Sequence, residues 1–396
     1  MDTRETGGRE AGRMLEIAQQ LIRTNTCQPE GNEKALVDYI ESLFKPFEAK
    51  IKKMRYDHSP QRSSLIIKLE AANQTGGIAF AAHLDTVAIG DVGAWERDPF
   101  SGLIEDGCLY GRGSVDMKSG ATAMIELGLH LLESDIPLEN PIYLCFTADE
   151  ENGGIGIKAL VEGGELANVS GVIIAEPTNN KLAIAEKGVL WLRFNVEGQL
   201  AHGSKPEEGC NALECAIALS AALHKGFAAR SRVDDLLGRA TMSLTRLNGG
   251  IMTNVIPAQA TMEFDIRTLP GMDHSDLIDM AEKIIQQIQH ENPKVRISME
   301  ELNNRSAVDT AFDHPFIRRM QEHAAKNGFD TSLCGMTYFT DAASLIPAIK
   351  KPFLIVGPGN EAKAHQLNES LKVDDIKKTF ALYLTIAVNE CGVKAS

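Results

Sequence analysis

The chain has 396 residues, 43% hydrophobic and 24% charged, with a formal net charge of −14. That length exceeds what one hydrophobic core usually supports, so two domains are expected. The acidic balance argues against a nucleic-acid or anionic-membrane surface, because both reward Lys/Arg patches. No apolar stretch reaches the roughly 20 residues of a membrane span, and the polar segment Met1–Arg13 lacks the apolar core of a signal peptide. Seven cysteines, at 27, 108, 145, 210, 215, 334 and 391, are odd in number and form no Cys-x-x-Cys pair. Reduced thiols in a cytoplasmic protein are the expectation.

In chain order, Met14–Phe47 reads as helical, broken between Thr24 and Glu33. Pro29 and Gly31 force a loop there, and Asn32 is placed to cap the helix that follows. Apolar runs at Leu65–Leu69 and Ile78–Ala82 read as strands. A long loop, Ile89–Val115, carries Trp95, Pro99 and six glycines; loops of this length inside a compact domain are usually functional. Gly120–Ser134 reads as an amphipathic helix with Met124, Leu127, Gly128 and Leu131 on one face. Strand, helix and strand then repeat through Ala175, which is an α/β pattern with a largely parallel sheet flanked by helices.

The pattern changes near Glu186. Gly188–Val196 alternates like a half-buried strand, and a helix follows at Asn211–Arg230. Two β runs, Thr241–Leu247 and Gln259–Arg267, are joined through Asn248-Gly249-Gly250. A helix at Ser275–Gln289 and a strand at Lys294–Met299 complete a ferredoxin-like order. The expected organisation is therefore a catalytic domain at 1–186 and 303–396, split by an inserted α+β domain at 187–302, a typical module size.

Five runs each lead into a residue able to hold a divalent metal: Ile78–Ala82 into His83, Leu109-Tyr110 toward Asp116, Pro141–Thr147 into Asp149-Glu150-Glu151, Val172–Ala175 into Glu176, and Phe353–Val356 toward His365. Open α/β sheets gather ligands outside the carboxyl ends of their strands. Asp85, two residues from His83, can take the second ring N–H and fix the tautomer that leaves the other nitrogen for metal; the bland alternative is a buried histidine satisfied by a nearby acid. Glycines around Asp116 permit tight backbone geometry that could set one carboxylate between two cations. The same stretch fails as a phosphate loop, since Met117 precedes Lys118 where Gly is required, and it fails as a dinucleotide fingerprint. Asp149-Glu150-Glu151 alone reads equally as an acidic turn facing water. Adjacent glutamates nevertheless suit a division in which one binds metal and its neighbour acts as general base. Without metal, the carboxylates of Asp116, Glu150, Glu151 and Glu176 would crowd one pocket and repel.

These motifs, with Pro29-Glu30-Gly31-Asn32-Glu33, Asp98-Pro99-Phe100 and Ala364–Glu369, resemble the metallopeptidase M20 family over nearly the whole chain. That group includes acetylornithine deacetylase, succinyl-diaminopimelate desuccinylase, aminoacylase-1 and a glutamate-releasing carboxypeptidase. The resemblance implies two metal ions, zinc first with cobalt or manganese as alternatives. His83 and Glu176 would hold one and Glu151 and His365 the other, with Asp116 bridging, Asp85 orienting His83, Glu150 as general base and Asp116-Met117 a cis peptide. It implies that His202, in Ala201–Pro206, stabilises the oxyanion from a partner subunit. It also implies that Asn254, Arg267 and Thr340 contact substrate, although Arg267 could instead pair with Asp265. The insert would then be a lid and dimerisation domain. Glu176, where family aminopeptidases tend to carry Asp, leans toward deacylase or carboxypeptidase action. Tyr338-Phe339-Thr340-Asp341 departs from the Gly-Gly-Thr-Ser-Asp loop of the best-known desuccinylases. The expected activity is removal of an acetyl or succinyl group from an N-acyl amino acid. Peptide-bond cleavage by a carboxypeptidase or dipeptidase is the alternative, and a non-catalytic metal-dependent binding protein the third reading. No Gly-x-Ser-x-Gly elbow exists to support a serine hydrolase.

Overall fold

The structure, a computed structural model, describes residues 3–393, with side chains from residue 12 on. Its central sheet is parallel where the sequence is continuously apolar. Ile142–Thr147 runs parallel to Ile78–His83, which runs parallel to Gly171–Ile174, which runs parallel to Phe353–Ile355. Every residue of these strands is buried, as expected when helices cover both faces of a parallel sheet. The register sets His83 opposite Thr147, Ala81 opposite Ile174 and Ile174 opposite Ile355. The carboxyl ends of all four strands therefore lie on one side.

The flanks of the sheet are antiparallel. Ile51–Asp57 pairs with Ser63–Leu69, and that strand pairs with Ile142–Thr147. Leu182–Glu186 lies antiparallel to Phe353–Ile355. Ile51–Asp57 is a strand that the sequence reading did not place. It carries Lys52, Lys53, Arg55 and Asp57, the charged composition typical of an edge.

Lys118–Glu133 forms the expected helix but is not amphipathic: all of it except His130 and Glu133 is buried. It packs against Thr3–Arg23, Val373–Cys391 and strand Ile78–His83, so no face is left for water. Gly120 makes this approach possible, because a Cβ there would lie 2.2 Å from the carbonyl oxygen of Ala175. Asn32 precedes helix Glu33–Phe44 but makes no side-chain cap; its own N–H donates instead to Glu33 Oε2 at 3.0 Å. No helix among the described residues is long and apolar enough to cross a membrane, and the described cysteines are all free thiols.

The chain divides into two compact units, the first made of 1–184, 309–334 and 340–396, the second of 185–308 with 335–339. Residue 302, set as the end of the insert, falls inside strand Arg296–Arg305, so the boundary moves outward. In the second unit the strands run in the order Thr241–Gly249, Gln259–Thr268, Gly188–Glu197, Arg296–Arg305, all antiparallel. That is the ferredoxin-like arrangement. Burial alternates along Gln259–Thr268, with Ala260, Met262, Phe264 and Ile266 inside, where helices Ala212–Ala228 and His274–Glu291 close a separate core. Asn248 and Gly249 are not a turn: they continue the strand opposite Thr261 and Ala260.

Replacing Gly120 with Ala drives a methyl group into a backbone carbonyl that cannot withdraw. A loss of about 1–3 kcal/mol is expected, measured as a lower thermal midpoint. An unchanged midpoint would show that the helix is free to shift away from the sheet.

Candidate metal centre

All seven residues expected at the centre that lie in the first unit arrive at the carboxyl ends of its strands. His83 is the last residue of its strand and is 1% exposed. Asp116 follows the glycine-rich turn, Glu150 and Glu151 follow Ile142–Thr147, and Glu176 follows Gly171–Ile174. His365 sits in the loop beyond Phe353–Ile355, with a left-handed backbone at φ 63°. The Asp116–Met117 peptide is cis.

The side chains fall into two triplets that share Asp116. His83 Nε2 lies 3.0 Å from Asp116 Oδ1 and 3.6 Å from Glu176 Oε1. His365 Nε2 lies 3.2 Å from Asp116 Oδ2 and 3.1 Å from Glu151 Oε1. Ligands about 2.0–2.1 Å from a tetrahedral zinc are separated by about 3.3 Å, close to these four contacts, and His83, Asp116 and Glu151 together offer ligand atoms that all lie within 4.8 Å of one another. Each oxygen of Asp116 serves a different triplet, as a carboxylate bridging two cations must. Two imidazoles and three carboxylates are a hard, mixed N/O donor set that suits Zn²⁺, Co²⁺ or Mn²⁺.

The electrostatics point the same way. Burial alone would raise Asp116, but bonds with His365 and His83 hold its carboxyl well below the usual range. Burial, then the charge of Asp116, pushes Glu151 up and Glu176 well up. Hydrogen bonds to Asp116 and Glu151 lift His365 to about 10. Burial opposes the charging of His83, yet Asp116, Glu176 and Asp85 together raise it well above an ordinary histidine. Protons thus gather on the side chains between which cations would sit: the cluster demands positive charge at two points.

Asp85 behaves differently from the expectation. His83 Nδ1 is 3.0 Å from the backbone carbonyl of Asp85, whereas the Asp85 carboxylate lies 3.7 Å away. The histidine is therefore oriented by a main-chain acceptor. The carboxylate is drawn instead to two backbone amides, accepting from Glu150 N at 3.0 Å and Glu151 N at 3.1 Å, and from Gln28 Nε2 at 2.8 Å. It thereby fixes the turn that presents Glu150 and Glu151. Arg62 completes this support, bonding Asp149 at 2.8 Å and the buried Glu33 at 3.0 Å. Glu33 and Arg62 had no role in the sequence reading; a glutamate inside Gly-Asn-Glu gives no sign that its partner lies 29 residues on.

Thr340 departs from the expectation too. It is 0% exposed, and its Oγ1 accepts from Ala342 N at 3.0 Å, at the start of helix Ala342–Ile349. In the second unit, His202 and Asn254 are brought side by side. Ala201–His202 pairs with Val255–Ile256, and Gly203 N donates to Asn254 O at 2.7 Å. Both side chains are exposed, and His202 Nδ1 is 2.7 Å from Ser204 Oγ. Arg267 makes the ion pair that its neighbour offered, with Nε and Nη2 at 2.7 and 3.0 Å from Asp265.

Residues 79–389 match the model of peptidase family M20/M25/M40. The chain belongs to that family and is a metallohydrolase acting on amide bonds. A probable succinyl-diaminopimelate desuccinylase of Staphylococcus epidermidis is 27% identical over 89% of this chain and 94% of its own. Among solved structures, an M20 metallo-carboxypeptidase of Sulfolobus solfataricus superimposes with a TM-score of 0.78 at 16% identity, covering 94% of this chain and 98% of that one. A dinuclear metal-binding peptidase of the same family from Bacillus subtilis gives 0.72 at 17% identity, covering 96% and 98%. At such identities the structures establish a shared fold.

Stripping divalent metal should leave the crowded carboxylates uncompensated. Calorimetry with excess chelator is expected to show a lower melting temperature, restored by zinc. Metal held at about 1,000 times its dissociation constant contributes about 4 kcal/mol. A chelated protein that melts no lower would contradict a two-cation centre here.

Proposed function

We propose that the protein is a two-metal amidohydrolase that removes an acetyl or succinyl group from an N-acyl amino acid. The observation that carries this reading is the pair of triplets on the two oxygens of Asp116, with Glu150 directly beside the ligand Glu151. His83, Glu176 and Asp116 would hold one cation, and His365, Glu151 and Asp116 the other. When bound, such a pair supplies Lewis-acid polarisation of the scissile carbonyl and acidifies water at the site.

Glu150 takes the proton from the attacking water and returns it to the departing amine. Its backbone is pinned by Asp85 and its carboxylate is buried, 5% exposed, near enough to Glu176 to raise that group's pKa. A general base works best when held rigidly within reach of its proton. His202, exposed on its short ribbon beside Asn254, is the oxyanion donor, contributed by a partner copy within a homodimer built on the second unit. Asn254 and Arg267 bind the carboxylate of the amino acid. Asp265 occupies two guanidinium nitrogens of Arg267, so Nη1 is the group left to meet substrate. The cytoplasm, where free thiols persist, is the proposed compartment.

Cleavage of a peptide bond by the same residues is the second reading. It is favoured by the fold shared with the Sulfolobus carboxypeptidase, and the desuccinylase relative favours the first. Turnover of a panel of N-acetyl and N-succinyl amino acids, set against dipeptides, separates them: preference for dipeptides would overturn the deacylase assignment.

Replacing Glu150 with Gln should leave metal content intact and lower kcat about 10²–10⁴-fold. A variant that keeps its metal and most of its rate would assign the base elsewhere. Mixing that inactive variant with His202→Ala should restore turnover if histidine acts across the dimer, since a mixed pair contains one complete site. No recovery on mixing, with subunit exchange verified, would place His202 on its own subunit's substrate or outside catalysis.

A further inference from the structure

Glu369 is a buried carboxylate, 1% exposed, that the chemistry above leaves unused. Its Oε1 accepts from Val115 N at 2.7 Å and Asp116 N at 3.1 Å. Its Oε2 accepts from Arg112 Nη1 at 2.7 Å and Gly113 N at 3.2 Å. Four donors on one carboxylate come from a single turn, the turn that ends in the bridging aspartate. Arg112 returns the connection, donating to the carbonyls of Gln366 at 3.2 Å and Ala88 at 3.3 Å, with its guanidinium 5.2 Å from the centre of the Trp95 ring. The glutamate's main chain adds a further tie, Gly111 N to Glu369 O at 3.0 Å.

The residues joined in this way belong to the two loops that carry Asp116 and His365. The His365 loop needs such a tie. His365 and Asn368 both hold left-handed backbones, at φ 63° and 56°, a conformation that non-glycine residues keep only where surroundings enforce it. No strand carries His365, whereas His83 ends one strand and Glu176 lies two residues beyond another.

Resting on the metal-centre reading, we infer that Glu369, through Arg112, is a positioning residue that sets the reach between Asp116 and His365 and so governs the second cation, held by Asp116, Glu151 and His365, more than the first. Charge on the carboxylate matters here as well as shape. A glutamine would turn an N–H₂ group toward Arg112 and Gly113 or toward the amides of Val115 and Asp116, and one side of the clamp would be lost.

The test is zinc titration of the metal-free protein against a competing chelator, for wild type, Glu369→Gln and Arg112→Lys, together with the visible spectrum of the cobalt-loaded forms. Wild type should bind two equivalents. In Glu369→Gln one equivalent should bind as in wild type and the other about 10–100-fold more weakly, the usual effect of losing a group that orients metal ligands. The cobalt spectrum should lose the contribution of one ion. Arg112→Lys, which keeps the charge but not the fork, should weaken the same equivalent to a smaller extent and decides the matter if Glu369→Gln does not fold. Two wild-type affinities in the folded variants, or equal weakening of both ions, would overturn the inference. A wild type that binds fewer than two ions would overturn the metal centre itself.

Discussion

One carboxylate between two imidazoles organises the first unit. Asp116 presents Oδ1 to His83 and Oδ2 to His365, and its burial makes that arrangement costly unless positive charge stands on both sides. Water would screen such a group at the surface, where an ion pair is worth little. In a desolvated pocket the same interactions are strong, and leaving any of them unmet is expensive. The surrounding structure follows from this constraint. Strand ends deliver His83, Glu151 and Glu176, and longer loops bring Asp116 and His365.

Buried acids hold the turns around this centre. Asp85 fastens the Glu150–Glu151 turn through its amides, and Glu369 fastens the turn before Asp116. Each is a charge accepting main-chain N–H groups, which are short, strong bonds. The centre is thus negative in more than its ligands. Arg62 and Arg112 are the compensating cations that let this much acid be buried.

The parallel heart of the sheet was legible in the sequence for a physical reason. A strand covered on both faces must be apolar throughout, and a functional acid or histidine just past its end stands out. The edge strand Ile51–Asp57 was not legible, because charge on an edge erases the apolar signal. Gly120–Ser134 reads as amphipathic, yet its polar side is buried too: Thr122 bonds the backbone carbonyl of Lys118, and Glu126 is buried against Arg13. Asp85 was placed correctly beside His83 but given the wrong atom, since periodicity does not say whether a side chain or its carbonyl faces the ring. Glu33 and Glu369 close two of the motifs that carry the resemblance, but their supporting part was not legible, because Arg62 and the amides of Asp149, Val115 and Asp116 that they bind lie far away in the sequence.

The shared carboxylate is tested most directly by diffraction from zinc-loaded crystals at wavelengths on either side of the zinc edge. Two anomalous peaks about 3.5–4 Å apart, each within bonding distance of a different oxygen of Asp116, are expected. A single peak, or two that leave Asp116 bound to one ion only, would contradict the bridge.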